Sequence, residues 1–508
     1  MSLFSLSSSS SRTARLPFED FLARRAAGPT TSAGLTGATS PRRVLTRTEA
    51  LSLTQFVDAV ASKAKPWYSI DIDHEIITLL TVVRGTRLQA STFDRLTLRG
   101  TTSLGSNVQV AVDTNVRDAE TLRRVIAHAG MQATPPPPPA EIDPDDIGLA
   151  LLRARTYLPV TLWHETTAAA LNAPPTDIIA RILPLLQHGA FIGSATCAAV
   201  GHATLRYFSE DVHSWGEETD SELAVTVYAA DGKTTGWSGQ ACRDITQLDS
   251  VRVVHEAIDM AQRNRGGSRV EPGRYTAILS STAVGQLLAQ SGPLFNRDSL
   301  GPFHIFDKTA DGHQYRLGQK VFDARLTLTS DPTDPEFGDF PFFHDCIPTG
   351  KAAWVKDGVL TTMSVAPISA LRAGLTPLKD PPAIKMFGGT TSLEQMIASC
   401  ERGLYVHRFS GVNLTDQQSG SMTGNTRDGC WFIKNGKIVT PTTNFRIYQS
   451  PFASFNKVLA LGPASRVAFG FTSTTRGGDP LERWLLPPVS APLMMVEDFN
   501  FSALSDAV

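Results

Sequence analysis

The chain has 508 residues, 42% hydrophobic and 19% charged, with a formal net charge of −2. That length can bury cores for about two or three domains. The near-neutral charge gives no electrostatic case for nucleic acid or an anionic membrane, and no apolar run reaches the ~20 residues of a membrane helix.

The first 46 residues are rich in Ser and Arg and read as a flexible tail or partly docked arm; an organelle transit peptide has similar composition, but Glu19 and Asp20 interrupt it. Residues 47–66 carry Leu51, Leu53, Phe56, Val57 and Val60 largely on one helical face. Strands are predicted at 70–83, 92–98 and 108–112, and a helix at 119–129 behind Asp118. This mixture argues for an N-terminal α/β domain over 47–200. Within it Pro135–Pro139 reads as a stiff connector, followed by helices at 149–155 and 168–186, the latter interrupted by Pro174-Pro175.

From residue 201 onward the chain reads as a C-terminal domain dominated by antiparallel sheet, so the fold class is α+β. Strands are predicted at 203–208, 223–229 and 236–243, a helix at 250–264, and a strand at 275–279 leading into a short helix at 283–290. Asp357-Gly358 and Asn435-Gly436 sit at the tips of two hairpins, where two-residue turns demand positive φ. Thr391-Ser392-Leu393-Glu394 reads as a capping box opening a helix through Cys400. Five scattered cysteines with no C-x-x-C pair suggest free thiols in a reducing compartment, and hence a cytoplasmic location.

Three blocks carry a family resemblance: VEPGRYTAIL with the apolar helix after it, the acidic Gly/Pro-rich stretch from Leu328 to Leu360, and Thr390 to Ile447 with its GLYV element and IKNGKIV hairpin. A weaker likeness covers Asp220 to Met260, and together these blocks span about half of the chain. In content and order they resemble the TldD/PmbA family of peptidases. In that family the helix carries His-Glu-x-x-x-His, two zinc ligands and a general base, with a late cysteine completing the site. The corresponding positions here are Ala289, Gln290 and Leu294, and no cysteine follows Cys430. Two hydrocarbon side chains and an amide offer neither a metal ligand nor a base at neutral pH. The resemblance therefore implies the PmbA (TldE)-like branch: no catalytic or metal residue in this chain, and a TldD-like partner that bears the zinc and cuts unfolded peptides in a shared chamber.

Other candidates read less sharply. His255-Glu256 lacks a second histidine in register. His344 and Cys346, in FFHDCIPTG, would make a displaced nucleophile pair only if two side chains of one strand met. Asp331, Asp334, Glu336 and Asp339 could face a hard cation but lack calcium-loop spacing. His304 and His313 are isolated. Gly403, Leu404, Tyr405, Val406, Phe409 and Gly411 put glycine beside aromatic and branched residues, suggesting an exposed strand that adds an extended peptide; the competing reading pairs that strand within its own sheet. The functional alternatives are a stand-alone homodimeric peptide-binding protein and a hydrolase with a displaced site.

Overall fold

The computed structural model describes residues 16–27, 43–61, 67–102, 107–112, 118–131, 156–187, 191–209, 212–230, 232, 234–297, 305–306, 316–343, 346–381, 383–470 and 488–505. The chain forms two compact units. One comprises residues 1–74, 94–139 and 203–215, the other residues 75–93, 140–202 and 216–508. The boundary expected between residues 200 and 201 falls inside a continuous strand, Phe191–Ser209. β-Strands that contribute residues to both units make the division discontinuous in sequence. The Pro135–Pro139 connector and the helix expected at 149–155 lie outside the described residues.

Six strands form one sheet: β1 (Trp67–Val83), β2 (Arg87–Thr102), β3 (Asn107–Val112), β4 (Phe191–Ser209), β5 (Val212–Ala229) and β6 (Thr235–Cys242), in the order β3-β2-β1-β4-β5-β6. In the first unit, three helices (Pro17–Ala27, Arg47–Ala61 and Ala119–Met131) accompany its share of these strands. Part of the segment expected to be flexible is thus helical. Phe18, Phe21 and Leu22 recur at i, i+3 and i+4, are at most 2% exposed, and join Leu53, Val57, Ile72 and Leu122 in one core. The next helix opens with a capping box: Thr46 N–H donates to Glu49 and Glu49 N–H donates back to Thr46 Oγ1. Asp118 caps the third through Thr121 N–H at 2.7 Å. A buried ionic knot adds to this core. Asp94 accepts from Arg25 Nε at 2.7 Å, from Arg43 at 3.3 Å and from His74 Nε2 at 3.2 Å, while His74 Nδ1 accepts from Leu45 N–H. That last bond fixes the tautomer, and desolvation lowers the His74 pKa, so the ring is neutral.

In the second unit, the paired prolines split the predicted 168–186 helix into Glu165–Ala169 and Thr176–Ile182. Helix Ser250–Arg263 is capped by Asp249 through Arg252 N–H and lies on β6 at backbone contact. A Cβ on Gly236 would meet Ala257 O at 2.2 Å. The second sheet has eleven strands: β7 (Gly273–Leu279), β8 (Leu328–Ser330), β9 (Ala352–Lys356), β10 (Val359–Leu360), β11 (Ile384–Met386), β12 (Arg402–Asp416), β13 (Ser421–Lys434), β14 (Lys437–Pro441), β15 (Phe445–Gln449), β16 (Val458–Arg466) and β17 (Val489–Leu504).

Five of these strands close on themselves. β12 pairs with β7 on one side and β13 on the other; β13 pairs with β15, β15 with β17, and β17 returns to β7. The result is a small closed ring whose interior residues, among them Phe409, Phe445, Phe499 and Phe501, are fully buried. Both predicted hairpin tips carry positive φ at both residues: 49° and 79° at Asp357-Gly358, 52° and 73° at Asn435-Gly436. The helix Leu393–Ser399 begins one residue later than expected. Ser392 is the cap and Gln395, not Glu394, supplies the reciprocal bond, while Glu394 accepts from the Ser392 hydroxyl.

Candidate functional site

β7 delivers the chain into helix Ser281–Ala289. Ser280 caps it, accepting from Ala283 N–H at 3.1 Å and donating to His407 O. The helix is apolar almost all round: Ala283, Val284, Leu287 and Leu288 are at most 1% exposed. A Cβ on Gly285 would meet the Val467 side chain at 2.4 Å, so this position needs glycine. Gln286, the one long polar side chain in the buried run, accepts Phe409 N–H at 2.7 Å. It thereby covers β12 just beyond the last residue paired with β7.

Ala289 ends the helix at 8% exposure, half-buried Gln290 follows as its C-terminal cap residue, and Leu294, 0% exposed, lies in the 3-10 turn Gly292–Phe295. Both Ala289 and Leu294 are members of the main apolar core. Phe295, next to Leu294, packs against Phe306 and Trp354 at 5.3 and 5.7 Å between ring centroids. The residues present do not fit a zinc ion: Ala289 and Leu294 are hydrocarbon, Gln290 is an amide, and the hydroxyl of buried Ser291 is spent on Leu287 O. Among the described residues no group of three or more His, Cys, Asp or Glu side chains converges as a metal site.

The proposed peptide edge is overturned. Gly403, Leu404, Tyr405 and Val406 pair with β7 on one side and β13 on the other, within the closed ring. Paired on both sides, these four residues have no free edge for an added strand. Phe409 is 0% exposed and stacks on Phe499; of the six residues only Gly411 is exposed, at a bend with φ of 60°. Tyr405 stacks on Trp431 at 5.2 Å, so its ring is part of a smaller core.

The acidic series is likewise not a cation site. Each carboxylate is paired with a base: Asp331 with Lys351 at 2.7 Å, Asp334 with Lys385 at 3.0 Å, Asp339 with Lys379 at 2.6 Å, and Glu336 with Arg466, which it shares with Asp220. Burial would raise the pKa of Asp331 and Asp334, but the lysine and backbone hydrogen bonds outweigh it and hold both low. His255 is exposed on its helix, and its neighbour Glu256 accepts from Ser238 and Arg252. Cys346 is buried with φ of 60°; His344, Asp345, His304 and His313 lie outside the described residues.

Sequence reasoning missed the buried charges of the second unit. Glu218, Asp220 and Glu222 alternate along β5 and so share one face. Glu218 accepts from Arg243 at 3.0 Å and His202 at 3.2 Å, Asp220 accepts from Arg466, and Glu222 accepts from the backbone N–H groups of Phe469 and Gly470. The E-T-D-S-E alternation was the available signal. A second pair, Arg408 and Asp428, is 1% and 2% exposed, with Arg408 Nε donating at 2.5 Å and the guanidinium 4.5 Å from the Trp237 ring centre. His407 Nε2 donates to Trp237 O, and burial keeps that imidazole neutral. None of these groups is disposed as nucleophile and base; they tie strands together.

Comparison with known proteins bears on this domain directly. Residues 272–503 match the model of the PmbA/TldA metallopeptidase C-terminal domain. A metalloprotease of Methanothermobacter thermautotrophicus is 21% identical over 339 residues, 60% of this chain and 72% of that protein. In fold, the chain is similar to a candidate modulator of DNA gyrase from Bacteroides thetaiotaomicron, with TM-score 0.69 and 18% identity over 91% of this chain and 100% of that one. It is also similar to TldE from Thermococcus kodakarensis, with TM-score 0.66 and 14% identity over 88% of this chain and 99% of that one. Residues 272–503, built as an α+β fold around a closed sheet, are thus a C-terminal domain of the PmbA/TldD metallopeptidase family.

Proposed function

We propose that this chain is a non-catalytic, PmbA/TldE-like subunit of a heteromeric zinc peptidase. A TldD-like partner carries the zinc and the general base, and hydrolysis of unfolded peptides takes place there. This chain closes the chamber and helps to hold the substrate. The observation that supports this reading is the character of Ala289 and Leu294. In a metallopeptidase-family domain, the turn where the family's metal helix ends is here part of the apolar core. Installing a divalent ion there would require burying charge among hydrocarbon side chains. The likeness to TldE agrees with this assignment.

The test is co-purification of this chain with a TldD-like subunit from the same genome. Cleavage of an unfolded peptide is then compared for each chain alone and for the two together, with metal analysis of each. The expected result is a stable complex, cleavage that depends on the partner's zinc, and no stoichiometric zinc on this chain by itself. Peptide cleavage by this chain alone, or a tightly held divalent ion on it, would overturn the assignment.

A further inference from the structure

A groove of about 420 Å³ runs along the segment that follows β10. Its frame is short pieces of backbone tied to one another. Arg297 N–H donates to Ser364 O, Val365 and Leu378 exchange both backbone bonds, and Gly318 N–H donates to Leu360 O. Met363 and Val365, 3% and 4% exposed, belong to its apolar lining together with Leu317 and Leu375. Those two leucines are each 42% exposed, a hydrophobic cost the isolated chain bears in water. Three threonines, Thr361, Thr362 and Thr376, supply hydroxyls. The charged groups lining it, among the described residues, are both cations, Arg297 and Lys351, and neither is without a partner: the Lys351 ammonium is held at 2.7 Å by Asp331, which is not itself in the lining.

The volume falls within the ~300–1,000 Å³ of ordinary ligand sites, and the lining has the usual mixture of apolar walls and a few polar groups. Apolar walls with cationic and hydroxyl groups complement an apolar side chain next to a carboxylate. We infer that this groove binds a short extended peptide through an apolar side chain and an adjacent carboxylate, either a chain terminus or an acidic residue. The inference deepens the peptide-handling reading above and rests on it for its biological role, but binding is a property of this chain alone.

Fluorescence anisotropy of the full chain, at low salt, with fluorescein-labelled Gly-Gly-Leu-Glu tests it. Saturable binding is expected. The probe with Gln for Glu and a C-terminal amide should bind about tenfold more weakly, as should the exposed-site variant Leu375→Asp. Lys351→Glu should weaken binding by about fivefold, and added salt should weaken the parent. Unchanged circular dichroism and melting temperature establish that both variants fold. Absence of saturable binding, equal affinity for charged and uncharged probes, or variants that bind like the parent would overturn the proposal. So would a Leu375→Asp variant that dissociates a dimer in light scattering without altering probe affinity, since the groove would then be a contact between copies. Complex formation with the zinc-bearing partner is scored separately. A chain that binds the probe but recruits no partner removes only the subunit assignment, and a working complex whose isolated subunit ignores the probe removes only the groove.

Discussion

Two regions of the larger unit are enclosed by the fold and opposite in character. Around helix Ser281–Ala289 and the turn to Phe295, the walls are almost wholly hydrocarbon. Around β5 and β6, and between Arg408 and Asp428, buried guanidinium groups are matched by buried or half-buried carboxylates. The contrast shows that the chain tolerates interior charge wherever each ion has a fixed counterpart. The hydrocarbon around Ala289 and Leu294 is therefore a local feature of that turn, not a general aversion of this fold to buried polar groups.

The comparison breaks most visibly if one ion is removed. Asp428→Ala leaves Arg408 buried against Trp237 without its counter-charge and should cost about 3–5 kcal/mol in urea denaturation. The double variant Arg408→Met/Asp428→Leu should recover most of that loss, because the cost lies in the unpaired ion. Next in size, Ala289→His/Gln290→Glu/Leu294→His would place ionisable groups in the apolar turn. It should destabilise the domain by about 2–4 kcal/mol and still show no stoichiometric zinc by metal analysis. Gly285→Ala, which forces a methyl against Val467, should cost about 1–3 kcal/mol.

The pH dependence sharpens the same contrast. Burial would raise the Glu218 pKa, but the bond from His202 and the charge of Arg243 outweigh it and depress the value from 4.5 to about 2. A depressed folded pKa means that this stabilisation is present in full above the unfolded value near 4.5. It is lost as pH falls toward about 2, so Glu218→Gln should flatten the acid limb of stability across that window. The smallest effect is local: Ser392→Ala should cost about 1 kcal/mol by opening the capping box on Leu393–Ser399.

What could be read from residues alone was whatever is settled within a few positions. The two hairpin tips, the Asp118 cap and the split at Pro174-Pro175 are short-range chemistry, and the structure shows each of them. β5 was read at less than half its length because VHSWGEETDSE is polar; its carboxylates become interior residues only when Arg243 and Arg466 arrive from later in the chain. The exposed edge expected at Gly403–Val406 failed for the same reason. Local glycines suggested bare backbone, but β7 and β13 cover it from both sides, at separations no local pattern reports. At the candidate site the residue identities at Ala289, Gln290 and Leu294 were plain; the burial of Ala289 and Leu294 in one core with Phe295, Phe306 and Trp354 was not.

The ring also sets an order of events. β17 neighbours β7, β11, β15 and β16, and it follows all four in the chain; Met495 meets Ile278 across more than two hundred intervening residues. A ribosome must therefore make almost every other strand before the seam can be sewn, and until then β7 and β15 wait with open flanks. Nascent chains of this protein should thus depend on chaperones late in synthesis, and a stop codon placed before Val489 should yield an insoluble product rather than a shortened but folded one.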